Sequence, residues 1–248
     1  MAQILRHPGI ALIGGGWSFF IAENLVLSHN REAIIDACGK QTYLRVYGGL
    51  STCACLSIGY GFLRHGRAKG PRVWRGAGPP GLRAGAVGLQ ALGLIGLSQM
   101  VPKLQLPVTM SGDTSANRST SEQQGSPGTV QGQGFKVQCP IDFKAADIPD
   151  DAVYGVRRVT RHAQLWSLGF LGLGTALATP FATEVLMFSM PAVFAVVGGA
   201  HIDYRHRRQS GGDLPPEIDA ISSGPVPFTA LLMGKQSWGD LANELKWT

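Results

Sequence analysis

The chain has 248 residues and a net charge of +6, and 44% of its residues are hydrophobic while only 15% are charged. This composition excludes a disordered chain, which combines low hydrophobicity with high charge, and four cysteines are too few for a small disulfide-stabilised scaffold. The positive charge suits either nucleic acid or an anionic membrane surface, and the distribution of the apolar residues decides between them.

Most apolar residues lie in five blocks that are long enough to cross a bilayer, because about 20 helical residues span a hydrocarbon core of about 30 Å. The blocks are rich in Gly, Ala and Ser, which let membrane helices pack closely. The rest of the chain offers no amphipathic helices to cover such a core in water. We therefore predict the lipid bilayer, and no nucleic acid, as a partner. The blocks are 9–28, 43–63, 82–101, 163–179 and 185–202.

The predicted fold is all-α: a polytopic transmembrane helical bundle of about five spans with an extramembrane loop and a C-terminal tail. Residues 1–106 contain the first three membrane helices and residues 159–208 the last two. Between them, 107–158 is a polar extramembrane insertion, and its Ser-, Thr-, Gln- and Gly-rich first half is typical of a linker. Its segment 135–151 alternates more, which favours a short strand or a docking segment. Residues 209–248 form the extramembrane tail.

The orientation of the bundle is not determined by charge. With five crossings, the N-terminus lies on the same side as the loop 64–81, which has five basic residues and no acidic residue. The opposite side receives the arginines of 157–161 and 205–208, so the positive-inside rule finds both sides basic. We favour the loop 64–81 on the positive-inside side. The sequence predicts an integral, multi-pass protein of a mitochondrial, plastid or bacterial inner membrane, without distinguishing among these.

Polar residues inside or beside the blocks are the candidates for function. A carboxylate such as Glu23 within a membrane helix needs a partner, for which we expect Asn24, Arg45 or a backbone donor. His29 ends the first block and His162 precedes the fourth. A neutral imidazole at either place can bind a haem iron or, at His29, another metal ion. The alternative is that both histidines cap helices at the membrane interface.

The remaining motifs carry no chemistry. Cys53 and Cys55 lack the two-residue spacer of redox and zinc sites and are expected to be small apolar residues of a membrane helix. The glycines at 14–16 precede no phosphate-loop lysine, which excludes a nucleotide site there. Asp203 closes the fifth block and is expected to pair with the nearby Arg205.

Four segments in the right order resemble the NnrU membrane-protein family and together cover most of the chain outside the insertion. Ser28-His29 with Tyr43–Ser51 resembles the family's opening, and Thr160-Arg161-His162 resembles its Thr-Arg-His-Pro motif. The end of the fifth block resembles a helix that closes on Asp-Arg-Arg, and the tail resembles a Ser…Pro-Phe-x-Ala-x-x-x-Gly-Arg signature. The last two segments are Gly198–Arg207 and Ser222–Lys235.

This family includes bacterial proteins linked to denitrification and the plastid 15-cis-zeta-carotene isomerases. Resemblance to the isomerases implies a haem b-dependent, non-redox cis-to-trans isomerisation of a carotenoid, with His29 as an iron ligand. Those isomerases carry a second histidine about thirteen positions after the histidine that corresponds to His162, and this chain has Thr175 there. Threonine is a poor haem ligand, and Ala163 replaces the motif's proline. We therefore expect no bound haem.

Three functions follow from these residues. The first is a non-catalytic accessory or structural subunit of a larger membrane complex, with contacts to other subunits through 135–158 and 225–248. The second is a haem b-dependent isomerase of the zeta-carotene type, and the third is a small-molecule transporter with Glu23 in its pathway. In the tail, the spacing of the apolar residues predicts one apolar helix face, suited to a partner groove or the membrane surface. These residues are Trp238, Leu241, Leu245 and Trp247.

Overall fold

The computed structural model describes residues 7–74, 79–104, 108–110, 135–137, 141–145 and 153–245. Each of the five apolar blocks forms a helix, although the helix of the third block ends at Ser98, before the end of that block, and one short helix joins the first two. The helix over the second block continues into a π-helical turn that ends at Gly66. The all-α helical bundle is thereby confirmed. The helices are α1 (Pro8–His29), α2 (Arg31–Cys38), α3 (Lys40–Gly61), α4 (Pro80–Ser98), α5 (Ala163–Ala178) and α6 (Ala182–His206).

Among the described residues, four helices are long and apolar enough to cross a membrane, rather than the five predicted. They are α1, α3 with its extension to Gly66, α4 and α6. Helix α5 is apolar but shorter, since its 16 residues span about 24 Å. It stops before Pro180 because the residue that precedes a proline disfavours helical geometry and a proline removes a backbone donor.

Glycines allow α4 and α5 to pack closely as an antiparallel pair. A Cβ atom added to Gly93 would lie 2.6 Å from the backbone nitrogen of Leu171, and one added to Gly174 would lie 2.5 Å from the carbonyl oxygen of Ala86. Any side chain at these positions would force the helices apart. Helix α5 also packs against α6, with Trp166 and Ala195 in their shared core. The glycine-rich composition of the blocks therefore serves close helix packing.

The contacts between helices define two ends of the bundle. At one end, which we call the loop end, Thr183 of α6 donates to the carbonyl oxygen of Gly66 at 2.9 Å, and the amide of Val73 donates to Pro180 at 2.8 Å. The N-terminus of α1 lies here too, beside His65. The opposite end, the cap end, contains the C-termini of α1, α4 and α6 and the N-terminus of α5.

Short strands lie in the polar insertion and in the segment just before it. Strand β1 (Met100–Leu104) pairs antiparallel with β4 (Ile141–Ala145), and β2 (Val108–Met110) pairs antiparallel with β3 (Phe135–Val137). A short strand was one of the two outcomes predicted for 135–151. The Ser- and Gln-rich stretch 111–134 lies outside the described residues.

The tail forms a folded structure at the cap end, which we call the C-terminal cap (residues 209–245). It contains three short helices: α7 (Pro216–Ile221), α8 (Thr229–Leu232) and α9 (Trp238–Glu244). An aromatic row joins it to α5, because Trp166 contacts Phe170, Phe170 contacts Phe228, and Phe228 stacks on Trp238 with ring centroids 6.1 Å apart.

The apolar helix face predicted for the end of the tail is only partly formed. Trp238 and Leu241 are three residues apart in α9 and so lie on one side of it, where Leu241 is buried and Trp238 is 52% exposed. The helix ends at Glu244, and Leu245 has extended backbone. Trp247 lies outside the described residues.

Candidate functional site

A buried ionic cluster joins α5, α6 and the cap. Arg161 and His162 immediately precede α5, and both face Asp203 in the last turn of α6. Nη2 of Arg161 donates to Oδ2 of Asp203 at 2.6 Å, and Nε2 of His162 lies 2.9 Å from Oδ1. Asp203 is 3% exposed and His162 is 8% exposed. The buried carboxylate therefore has two basic partners, as a charge removed from water requires.

The guanidinium of Arg161 is fully used within the protein. Besides Asp203, it contacts Asp219 of α7 at 3.1 Å and donates to Oγ of Ser222 at 2.7 Å. A hydrogen bond from Arg207 and the nearby charge of Arg161 hold the pKa of Asp219 below its usual value. No nitrogen of Arg161 is left to bind a further group.

Backbone hydrogen bonds hold the cap against the segment before α5. The amide of Arg161 donates to the carbonyl oxygen of Ser223 at 2.9 Å, and Oγ1 of Thr160 donates to Gly224 at 2.7 Å. A Cβ atom on Gly224 would lie 2.9 Å from both Arg161 Nη2 and Asp203 Oδ2. Glycine is therefore required where the cap crosses the ion pair. Oγ of the fully buried Ser223 accepts from the amide of Ala230 at 2.9 Å.

A second ion pair lies at the outer edge of the cap. Arg158, in the 3-10 turn Gly155–Arg158, donates from Nη2 to Glu244 at 2.6 Å and from Nε at 2.7 Å. The amide of Gly155 also donates to Glu244, at 2.7 Å. The hydrogen bond from Arg158 is the main reason that the pKa of Glu244 lies below its usual value. The end of α9 is thus fixed to the bundle.

The structure changes the predicted partner of Asp203. Arg205 does not pair with Asp203, because residues two apart on a helix point in different directions. The guanidinium of Arg205 instead donates to Oγ of Ser28 on α1, at 2.6 Å. The partners of Asp203 are Arg161 and His162, which are distant in sequence.

His29 and His162 contact opposite faces of α6. The ring of His162 lies against Gly199 and Asp203, whereas the ring of His29 lies against His201 at a centroid distance of 5.9 Å. Positions 199 and 201 are about 200° apart around a helix. The two histidines are therefore not brought together to hold one iron between them.

The other residues considered for haem have different contacts. Thr175 donates to the carbonyl oxygen of Leu171 at 2.8 Å and accepts from Gln90 of α4 at 3.3 Å. This residue thus joins α4 to α5. Across the described ranges, no group of three His, Cys, Asp or Glu side chains is placed to hold a metal ion. The expectation that the chain binds no haem stays a prediction.

Glu23 is buried between α1 and α3, with 6% of its surface exposed. Its Oε1 accepts from Ser51 of α3 at 2.6 Å and from Asn24 at 2.8 Å, and Asn24 in turn accepts from Tyr47. The expected partner Asn24 is confirmed, and Arg45 is not a partner. The sequence signal for the missed residues is their spacing, because Tyr47 and Ser51 lie four residues apart on one face of α3.

Sequence reasoning also missed the cap residues of the ionic cluster. Ser222 and Ser223 were noted only as part of a motif, and Asp219 and Glu244 were not singled out. The only sequence signal for these residues is the motif itself, because its Ser-Ser-Gly-Pro segment forms the backbone turn that crosses Asp203. Their partners include the arginines Arg158 and Arg161, which lie about 60 to 90 residues earlier in the chain.

The fold and the cluster define a class of protein: a helical membrane protein with a C-terminal cap that buried ion pairs fix to one end of its bundle. The chain belongs to the NnrU family, because the family model described as NnrU protein matches residues 11–240, nearly the whole chain. The resemblance drawn from the four sequence segments is thereby confirmed. No curated protein and no solved structure matches the chain. Three of the four segments meet in the ionic cluster.

Proposed function

We propose that this protein is a non-catalytic subunit of a larger complex in a bacterial inner membrane or an organelle membrane. Its C-terminal cap would be the docking surface for a neighbouring subunit. The observation that supports this proposal most strongly is that the family's motif residues form the contacts that hold the cap against the bundle. Every polar group of Arg161 and Asp203 is bonded within the protein.

This use of the motif residues argues against catalysis at the cluster. A catalytic group needs an accessible atom within hydrogen-bond distance of a substrate. Asp203 is 3% exposed, and its two oxygens are occupied by Arg161 and His162. A cluster built this way fixes two parts of a fold relative to each other, so the cap is pre-organised and loses little entropy on binding a partner.

The outer surface of the cap carries a ridge of exposed apolar side chains. Leu232 is 76% exposed and Met233 is 70% exposed, at the end of α8, and the 52% exposed Trp238 stacks on Phe228 at the start of the same short helix. Large exposed apolar groups that cluster in this way mark interaction sites more often than scattered single residues do. We call these residues the cap ridge: Val226, Leu232, Met233 and Trp238.

The charge of the cap favours a protein partner of different sequence. Residues 209–245 contain five acidic residues and one basic residue. Anionic lipid headgroups attract basic segments, so they disfavour this surface. A second copy of the same acidic cap is disfavoured for the same electrostatic reason. The partner that fits is a subunit with an apolar patch flanked by basic residues. The second contact predicted through 135–158 stays a prediction. The structure describes 135–137, 141–145 and 153–158 of this segment, and Tyr154 is exposed.

The test is native gel electrophoresis of gently solubilised membranes from the source cell, with the double substitution Leu232→Ser and Met233→Ser. The wild-type chain should migrate well above its own mass of 26.3 kDa plus detergent. The double variant should migrate at the mass of the free chain, because the exposed side chains make no contact that the cap needs. Val73→Ser is the matched control, since Val73 is 46% exposed at the loop end.

Three outcomes would overturn the proposal. One is a wild-type chain that migrates as a monomer in several mild detergents. Another is a large assembly that contains only copies of this chain, which mass spectrometry of the excised band would detect. The third is an assembly that Val73→Ser disrupts as strongly as the double substitution. Deleting 236–248 would be a poorer test, because it removes Glu244 and with it the ion pair to Arg158 that attaches the cap to the bundle.

A further inference from the structure

A group of basic side chains with unused donors lies at the cap end, between α1, α2 and α6. Arg205, in the last turn of α6, donates one hydrogen bond from Nη1 to Oγ of Ser28, at 2.6 Å. Its Nε and Nη2 atoms are inaccessible to water and have no partner among the described residues. Nε2 of His201, one turn earlier on α6, is also buried and has no partner among the described residues.

A second guanidinium converges on the same place. A Cβ atom built on Gly211 would collide with Nη2 of Arg205 and would lie 3.2 Å from Nη1 of Arg31, which begins α2. The two arginines therefore approach one exposed turn of the cap from two different helices. Gly211 has φ +76°, a conformation that side chains rarely adopt, so the turn stays bare at this point.

Neither arginine has an acidic partner in the part of the chain that the structure describes. Among the described side chains, no carboxylate oxygen lies within 4.0 Å of a guanidinium nitrogen of Arg31 or Arg205. The acidic residues near these arginines have other neighbours. Glu32 accepts a hydrogen bond from Ser210 at 3.1 Å, and the charge of Asp213 interacts with His206. Two like charges held close together, with the buried donors of Arg205 unbonded, are unfavourable unless an anion lies between them.

We propose that Arg31 and Arg205 form a binding site for a phosphate group beside the Gly211 turn. Guanidinium groups match the geometry of phosphate oxygens and bind them with paired, charge-assisted hydrogen bonds. The amides of Gly211 and Gly212 donate to no acceptor in the described residues. Oγ of Ser28, which contacts Arg205, and Nε2 of His201, one turn before Arg205 on α6, are further polar atoms in this region.

The position in the fold fits a phosphate from a lipid headgroup. Ser28 and Arg205 lie in the last turns of two helices that are long and apolar enough to cross the bilayer. The ends of such helices lie at the level of the headgroups. The turn at 211–213 is exposed and covers Nη2 of Arg205, so a phosphate approaches from the outside of the protein and contacts the buried donors of Arg205 when the turn shifts away from them. This basic corner contrasts with the acidic cap beside it.

The test is native mass spectrometry of the full chain in neutral detergent, with phosphatidic acid as the probe and diacylglycerol of the same acyl chains as the lipid without phosphate. The wild-type chain should retain phosphatidic acid and not diacylglycerol. Arg31→Gln and Arg205→Gln should each weaken binding about tenfold or more, because each removes charge-assisted hydrogen bonds. Arg207→Gln is the matched control, since it removes the same charge from an arginine already paired with Asp219 at 2.7 Å.

Competition with inorganic phosphate distinguishes the source of the anion. If millimolar phosphate displaces the lipid from the wild type, the site accepts free phosphate. If the lipid is retained, the site requires a lipid-borne phosphate. Both results support the site. Equal binding of phosphatidic acid and diacylglycerol would overturn it, and so would an Arg31→Gln variant that binds as the wild type does. Arg31 begins a short, partly exposed helix, so its variant is expected to fold even if Arg205→Gln does not.

Discussion

Arg161 shows how much of this fold depends on single side chains. It contacts Asp203 of α6 and Asp219 and Ser222 of the cap, so one guanidinium joins two parts of the molecule. Truncating one partner of such a buried pair leaves the other charge without compensation, which costs about 3–5 kcal/mol. Exposed pairs contribute less than about 1 kcal/mol. The buried pair therefore dominates the attachment of the cap.

Replacing Asp203 with asparagine should release the cap from the bundle. The neutral amide would leave both Arg161 and His162 without a buried carboxylate, and we expect a loss of about 3 kcal/mol in the stability of the cap. Limited proteolysis of the detergent-solubilised protein measures this as faster cleavage between residues 209 and 237. Asp213→Asn is the control, because Asp213 is exposed and belongs to no ion pair in the described structure. Unchanged cleavage of the Asp203 variant would contradict the role of the cluster.

Residue-level reasoning from sequence succeeded where partners are close along the chain and failed where they are distant. Glu23 was expected to need a partner, and adjacent Asn24 is one. Asp203 was assigned to Arg205 because the two are neighbours in sequence, but a helix turns them apart by about 200°. Its true partner Arg161 is 42 residues away. No local pattern specifies how α6 rotates against the start of α5.

Among the secondary-structure elements, α9 depends on its ends more than on its sequence pattern. Oγ of Ser237 accepts from the amide of Asp240 at the N-terminus, at 3.2 Å. At the other end, Glu244 is bound by Arg158 and by the amide of Gly155. A seven-residue helix is not stable alone, so these contacts and the buried Leu241 determine that it forms.

The attachment of α9 should weaken in acid. The pKa of Glu244 is lowered in the folded protein by its hydrogen bond from Arg158, relative to an ordinary value of 4.5. A carboxyl with a lowered folded pKa stabilises the fold fully above its unfolded pKa, and this contribution disappears as the pH falls through the folded pKa. The thermal unfolding of the cap, followed by tryptophan fluorescence, should therefore occur at lower temperature below about pH 4.5.

Glu244→Gln supplies the control for this pH dependence. Its amide does not titrate, so the variant should unfold at lower temperature already at neutral pH and should lose part of the change seen in acid. The rest of the change in acid should remain in this variant, because the pKa of Asp219 is also lowered in the folded protein. An identical pH profile for the wild type and Glu244→Gln would show that the Arg158 contact does not hold α9.

At the scale of the whole molecule, the helix contacts arrange five helices that alternate in direction. The loop end contains 66–74 and the start of α6, and the cap end contains the start of α5 and the cap. Helix α5 is shorter than a full crossing, yet its two ends contact opposite ends of α4. The loop 66–74 and the cap are therefore expected on opposite sides of the membrane, and the side that each faces stays a prediction.

Cysteine labelling in sealed vesicles tests this arrangement. In a background without the four native cysteines, Val73→Cys and Val226→Cys should react with a membrane-impermeant reagent from opposite sides, since both side chains are exposed. Leu94→Cys should react from neither side, because Leu94 lies within α4 and its exposed surface faces lipid. Labelling of positions 73 and 226 from the same side would contradict the arrangement, as would rapid aqueous labelling at position 94.

The sequence by itself determined the features that depend on local composition. Hydropathy and block length predicted the membrane helices, because the bilayer thickness fixes how many apolar residues a crossing needs. The order of short motifs identified the family. Only the tertiary structure decided which motif residues meet, because the rotation of packed helices depends on every side chain at their interface. That packing placed His29 and His162 on opposite faces of α6, paired Asp203 with Arg161, and folded the tail into a cap.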